Sequence, residues 1–374
     1  MMRSSKLTNW SRARRILCVR LDAMGDVLMT APAMHALSAS TGHPSITLLT
    51  SPAGAKAASL LRCVDSTIVW QAPWMKNAPG PDSVPVSDMI ELLRRLSFDA
   101  AVIFTVYSQS PLPAAVMLQA AGIPLRAAFC RENPYGLLTD WVPESEPQTI
   151  VRHEVERQMH LASQLGFHRS DGRISVEVPV WAMASVSERL KHCGIEPFGK
   201  WLVAHAGASA KSRIYPPRRL ALALQRIHRT AGHVPLITGD PADVEPVVRA
   251  LDRAHVPVVP LADSLSLAEL AALIQCAPLL IANNSGPAHL AAAVGCPVVV
   301  TYALTNPQHT PWQVHSRVLF NDVPCRYCYR SVCPLGTHAC LRRLPSRRVA
   351  EAALDLLGLF HGGDRRWPVL PPLR

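Results

Sequence analysis

Along the 374 residues, short runs rich in Val, Ile and Leu alternate with longer stretches whose apolar positions recur at helical spacing, which predicts βα units built on parallel sheets. In the first half the strands fall at 16–21, 45–50, 67–70, 100–106 and 125–129, with helices at 86–96 and 114–121 between them. A polar, proline-containing stretch at 144–151 leads into an amphipathic helix, 153–165, with Val155, Met159, Ala162 and Leu165 at helical spacing. A second alternation has strands at 201–205, 234–238, 256–260, 279–282 and 298–302 and helices at 217–230, 241–254, 265–275 and 287–294, with one more helix near the C-terminus. Each half reads as a doubly wound, Rossmann-like α/β domain, 1–180 and 181–374, joined somewhere within 165–200. Two such domains facing across a cleft would hold ligands beyond the carboxyl ends of their strands.

Composition narrows the class. With 49% apolar and 17% charged residues the chain is globular, which excludes collagen-like, disordered and disulfide-knot proteins. Its net charge of +11 is concentrated at the ends. Arg3, Lys6, Arg12, Arg14, Arg15 and Arg20 stand without an acid, and nine arginines from Arg326 to Arg374 outnumber Glu351, Asp355 and Asp364, while the middle is close to neutral. The basic start runs into Ile16-Leu17-Cys18-Val19, which Arg20 interrupts, so the apolar core of a signal peptide is missing. The longest uncharged stretch, 270–314, is broken by Asn283, Asn284, Ser285, Gly286, Pro287 and His289 and does not read as a membrane span. Cys18, Cys63, Cys130, Cys193, Cys276 and Cys296 lie singly in apolar contexts, as the reduced thiols of a cytoplasmic protein do.

Candidate chemistry sits in the loops that follow three strands. After the first come Asp22-Ala23-Met24-Gly25-Asp26-Val27, then Pro32. One glycine does not make a dinucleotide fingerprint. Gly25 permits a tight turn, and Asp26 is placed either to cap the next helix or to point into the cleft as a base. Pro32 restricts Ala31, so the helix is expected to begin only near Thr30, which weakens the capping role. After 201–205 come Gly207, Ala208, Ser209, Lys211 and Arg213. The spacing is too short for a P-loop, but free backbone N–H groups and two cations suit a diphosphate. After 279–282, Asn283-Asn284-Ser285-Gly286-Pro287 opens a helix whose N-terminus suits a phosphate, with His289 just beyond the first turn.

These segments, in this order, resemble glycosyltransferase family 9, the heptosyltransferase-like enzymes of lipopolysaccharide core assembly. The resemblance rests on Arg20-Leu21-Asp22-Ala23-Met24-Gly25-Asp26-Val27, His205-Ala206-Gly207-Ala208-Ser209, Thr238-Gly239-Asp240-Pro241 and Asn283-Asn284-Ser285-Gly286-Pro287-Ala288-His289, within residues 15–358. It implies the GT-B fold, with an N-terminal acceptor domain to which Gly25 belongs and a C-terminal domain for a nucleotide-activated sugar. It also implies metal-independent transfer with inversion, with Asp26 as the general base. The donor would be a nucleotide-diphospho-sugar, by default ADP-heptose, bound by Gly207, Ala208, Ser209, Asn284, Ser285, Gly286 and His289. Arg213 stands where the family commonly has Lys, with Lys211 as a rival for the role, and Asn284 stands where the family often has Asp. The acceptor would be a lipid-linked saccharide, and the cationic ends suit docking on an anionic inner-membrane surface.

Cys325, Cys328, Cys333 and Cys340 form a C-x2-C-x4-C-x6-C cluster in the loop 325–340. It suits either a structural zinc or iron-sulfur centre, or cysteines that shape a loop. Transfer itself requires no cofactor on this reading. Three alternatives remain: a GT-B sugar-nucleotide epimerase or hydrolase, an inactive scaffold, and a nucleic-acid-binding protein. The last is disfavoured by 6% aromatics and the lack of a nucleic-acid motif.

Overall fold

Strand β1 (Arg15–Arg20) carries Ile16, Leu17, Cys18 and Val19 between two arginines, and every residue after Arg15 is buried. Such a strand, apolar on both faces, belongs inside a parallel sheet covered by helices on both sides. The computed structural model describes residues 10–76, 84–168, 170–196, 199–262, 264–359, 367 and 370, and divides the chain into two units, Met1–Glu177 and Val178–Arg374. Arg3, Lys6, Arg365, Arg366 and Arg374 of the cationic ends lie outside the described residues.

In the first unit β1 is followed by α1 (Met24–Ser38), β2 (Ser45–Thr50), α2 (Pro52–Ala58), β3 (Ser66–Val69), α3 (Val86–Leu96), β4 (Ala100–Ile103), α4 (Leu112–Ala120), β5 (Leu125–Cys130), β6 (Asp140–Pro143) and α5 (Glu154–Gln164). Its sheet is parallel throughout, in the order β3-β2-β1-β4-β5-β6. Ile16 pairs with Ile46 on one side and Ala100 on the other. Helix α1 buries Val27 to Ala33 without a break and packs against α2 and α5. It starts at Met24, six residues before the expected start, and carries Pro32 in its interior. A proline inside a helix removes one backbone bond, and burial of the helix on nearly every side offsets that loss.

The second unit runs α6 (Val180–His192), β7 (Trp201–His205), a single 3₁₀ turn (Lys211–Arg213), α7 (Pro217–Ala231), β8 (Val234–Gly239), α8 (Pro241–Asp252), β9 (Val259–Ala262), α9 (Leu267–Cys276), β10 (Leu280–Asn283), α10 (Gly286–Val294), β11 (Val298–Thr301), β12 (Ser316–Leu319), α11 (Ala339–Arg342) and α12 (Ser346–Leu356). Its sheet is again parallel, in the order β12-β11-β10-β7-β8-β9. Counted from its own first strand, this is the same order as in the first unit. Helices α7 and α10 each end at a glycine with positive φ, Gly232 at 74° and Gly295 at 78°, a conformation that costs glycine little.

Several elements differ from expectation. Strands β6 and β12 and helix α6 were not anticipated, and β9 lies three residues later than predicted. Both unexpected strands are sheet edges with half-exposed residues, so they lack the apolar run that marks a buried strand.

Candidate active site

In each unit the strand order reverses between the first strand and the fourth, and such a switch point opens a crevice beyond the strand ends. The first unit places the β1–α1 loop there. Arg20, the last residue of β1, is fully buried, and three carboxylates surround its guanidinium. Asp22 Oδ2 lies 3.0 Å from Nε, Glu154 Oε1 lies 2.9 Å from Nη1, and Asp26 Oδ1 lies 3.3 Å from Nη2. Burial alone would lower the Arg20 pKa, but Asp22, Glu154 and Asp26 outweigh it and raise it, so the side chain is a permanent cation. Burial raises the Asp22 carboxyl, and Arg20 opposes that shift. Gln109, beyond β4, donates from Nε2 to Asp22 Oδ1 at 2.7 Å and closes the switch point from its other side.

Asp26 is the most exposed of the three carboxylates, at 20% against 13% for Asp22 and 0% for Glu154. Its Oδ2 accepts the backbone N–H of Ala23 at 3.2 Å. Asp26 thus does cap the start of α1, and its other oxygen lies against Arg20. Gly25 lies in the first turn of α1 rather than in a tight turn ahead of it.

In the second unit the switch point lies between β7 and β10. Asn283, the last residue of β10, donates from Nδ2 to the carbonyls of Ala206 (2.9 Å) and Gly207 (3.0 Å). Its Oδ1 accepts Tyr215 N–H (2.8 Å) and Thr301 Oγ1–H (3.0 Å). One buried amide thus fixes the loop that carries Gly207, Ala208 and Ser209. A Cβ at Gly207 would come within 2.6 Å of an Asp243 carboxylate oxygen, so a side chain there would push the Asp243 carboxylate aside. Burial raises the Asp243 carboxyl, and Asp240 adds to the shift. His205, at the end of β7, meets Thr238 Oγ1 through Nδ1 at 3.0 Å, and burial pushes it down to about 4, so it is neutral.

Lys211 is exposed and Arg213 half-buried on the 3₁₀ turn. Among the described residues, no carboxylate lies within ion-pair distance of either. Ser285 precedes α10 without using its side chain as a cap, and Gly286 opens the helix. Asn284 and His289 are buried. Asn284 Nδ2 lies 3.5 Å from Asn306 Oδ1, Asn306 Nδ2 lies 2.7 Å from His309 Nδ1, and the His309 ring meets that of His289 edge-on at 6.5 Å.

The cysteine loop is bonded to this same region. Ser212 donates to the carbonyls of Ser331 and Arg330, Tyr327 N–H to Leu304, and Tyr329 N–H to Thr305. All four thiols are free. Burial raises Cys340, and the charges of Cys325, Cys333 and Cys328 add to the shift. Among the described residues, no three His, Cys, Asp or Glu side chains are arranged to hold a metal ion.

Sequence reasoning missed the structural roles of Arg20, Gln109 and Glu154 in the first unit and of Asn283, Asn306 and His309 in the second. Two of them had a local signal. Arg20 ends an otherwise apolar strand, and Glu154 with Gln158 continues the buried face of α5 at a spacing of four.

The model of "Glycosyltransferase family 9 (heptosyltransferase)" matches residues 87–339, more than half of the chain. A lipooligosaccharide heptosyltransferase 2 of Campylobacter jejuni is 30% identical over 117 residues. That match takes in 31% of this chain and only 37% of the relative, so the chain spans little more than a third of that protein. The solved structure of a family 9 glycosyl transferase from Veillonella parvula superposes with a TM-score of 0.76 at 20% identity, covering 92% of this chain and 97% of that one. The structure of E. coli ADP-heptose lps heptosyltransferase II does so at 0.69 and 21% identity, covering 92% and 98%. The two parallel six-stranded sheets are those of the expected GT-B fold.

Proposed function

The chain belongs to glycosyltransferase family 9, and from that premise we propose that it is an inverting glycosyltransferase that moves a heptose from ADP-heptose to a lipopolysaccharide-type saccharide. The observation that carries this reading is Asp26, a reachable carboxylate at the carboxyl edge of a parallel sheet, fixed through one oxygen by Arg20 and through the other by Ala23 N–H. Asp26 accepts the proton of the acceptor hydroxyl while that oxygen attacks the anomeric carbon. The bond from that carbon to the diphosphate breaks, its electron pair leaves with ADP, and the configuration inverts.

The leaving charge falls to the second unit. The Gly207–Ser209 loop, the start of α10 at Ser285 and Gly286, and Arg213 present N–H groups and a guanidinium to a diphosphate, with Lys211 at the rim. These groups do what a metal ion does elsewhere, so transfer proceeds without one, and added divalent cations are not expected to raise turnover. Asn284 meets a sugar hydroxyl as a neutral partner, where an aspartate would bring charge. The name of the E. coli structural relative, an ADP-heptose enzyme, supports the choice of donor. Asp26→Asn is expected to lower transfer to heptose-deficient lipopolysaccharide by about 10²–10⁴-fold while ADP affinity holds; an undiminished rate would overturn the assignment. Incubation with donor alone separates transfer from epimerisation or hydrolysis, since only the latter two need no acceptor.

A second reading concerns Cys325, Cys328, Cys333 and Cys340 as ligands of a structural zinc or iron centre. It is favoured by the C-x2-C-x4-C-x6-C spacing and by the bonds that join their loop to the Arg213 turn, although among the described residues the four thiols do not converge on one metal position. Near-stoichiometric zinc or iron in purified protein would carry it, whereas metal-free protein of full activity would end it. We also place the protein in the cytoplasm, held at the inner membrane by its cationic ends. No helix among the described residues is long and apolar enough to cross a membrane. Salt-sensitive binding to anionic liposomes that is lost on trimming residues 1–14 and 361–374 is the expected result.

A further inference from the structure

A guanidinium withdrawn completely from water costs several kcal/mol unless its donors are met, and one carboxylate would neutralise its charge. Arg20 has three, the third from the far end of its domain. Glu154 is 0% exposed, stands in the first turn of α5, and is itself fixed. Gln158, one turn along, donates from Nε2 to Glu154 Oε1 at 2.7 Å and to the Thr105 carbonyl at 3.0 Å.

The geometry makes this more than charge balance. A guanidinium is planar, so two anchors on different nitrogens set its plane and its rotation within that plane. Asp22 at Nε and Glu154 at Nη1 hold the guanidinium as ion pairs on two sides, and Nη2 makes its directed hydrogen bond to Asp26 Oδ1 at 3.3 Å. A base oriented by a second group that a third group holds in place is the recurring logic of activated sites.

We propose that Arg20 is the positioning residue of Asp26 and that Glu154, through Arg20, sets the direction in which the Asp26 carboxylate faces the acceptor hydroxyl. The inference rests on Asp26 as the general base. Neither Arg20 nor Glu154 reaches the reacting atoms; both act by fixing where the proton-accepting oxygen stands.

The test is a double-mutant cycle on the full chain, with ADP-heptose and heptose-deficient lipopolysaccharide as substrates. Glu154→Gln keeps the shape and an acceptor oxygen but removes the charge, and is expected to lower kcat about 10-fold with both KM values within about threefold. Arg20→Gln is expected to lower kcat about 10²-fold, and Arg20→Lys, which reaches fewer carboxylates, to recover part of that loss. On an Asp26→Asn background neither change should lower the rate further, because groups that act through one base are non-additive. Losses that multiply on that background would make the cluster merely structural and overturn the proposal, as would a Glu154→Gln enzyme of full kcat beside an inactive Asp26→Asn. Full activity of Asp26→Asn alone would instead remove the base assignment. If Arg20 variants do not fold, the Glu154→Gln arm of the cycle decides alone.

Discussion

Two sheets with the same strand order place their loops at the same point, yet the means that hold those loops differ. In the first unit the fastening is ionic: one buried guanidinium among three carboxylates, with Gln109 closing the far side. In the second it is neutral: the amide of Asn283 takes two carbonyls and two donors, and brings no charge. On the proposed function the difference matches what each site would handle. A group that accepts a proton is best directed by a side chain that does not itself titrate, such as arginine, and a loop that receives a diphosphate by one that brings no charge, such as an amide.

The largest expected break in this contrast is Asp26→Asn, where turnover falls by about 10²–10⁴-fold, while the melting temperature falls modestly, because the single amide oxygen can serve Ala23 N–H or Arg20 but not both. Next comes Asn283→Asp. It differs by little in size but loses both donors and sets a carboxylate against two buried carbonyls, so unfolding in urea should show a loss of about 2–4 kcal/mol. Arg213→Ala should weaken ADP binding by about 1.5–3 kcal/mol, read by calorimetry, with less effect from Lys211→Ala, which would identify the cation that grips the diphosphate.

The smallest effect separates the units by pH. The folded-state pKa of His205 lies near 4, below its ordinary 6.5, so the protein is stabilised by neutral His205 above pH 6.5 and loses that contribution as the pH falls from 6.5 toward 4. Urea midpoints should decline over that window, and His205→Gln should flatten the decline.

The sequence pattern was most informative where burial is two-sided. Strands such as β1 and β11, buried on both faces, show as continuous apolar runs. Strands β6 and β12 do not, since an edge strand half open to water looks like a loop. The start of α1 was misplaced because Pro32 argues locally against a helix, whereas the packing of α1 against α2 and α5 decides globally. Asp26, Gly207 and Arg213 stand out in the sequence as candidates because their signals are local: a loop after a strand, small residues, a nearby cation. For Glu154 the local signal, its place with Gln158 on the buried face of α5, marks burial but not its partner, because it meets Arg20 only through tertiary folding.

Asn283 carries one more consequence. Asparagine side chains hydrolyse slowly to aspartate, and here that change would leave Ala206 and Gly207 facing an anion in place of a donor. The usual route requires the side-chain carbon to swing against the next backbone nitrogen. Four hydrogen bonds hold the Asn283 amide still, so the bonds that shape the Gly207–Ser209 loop also protect the asparagine from chemical ageing.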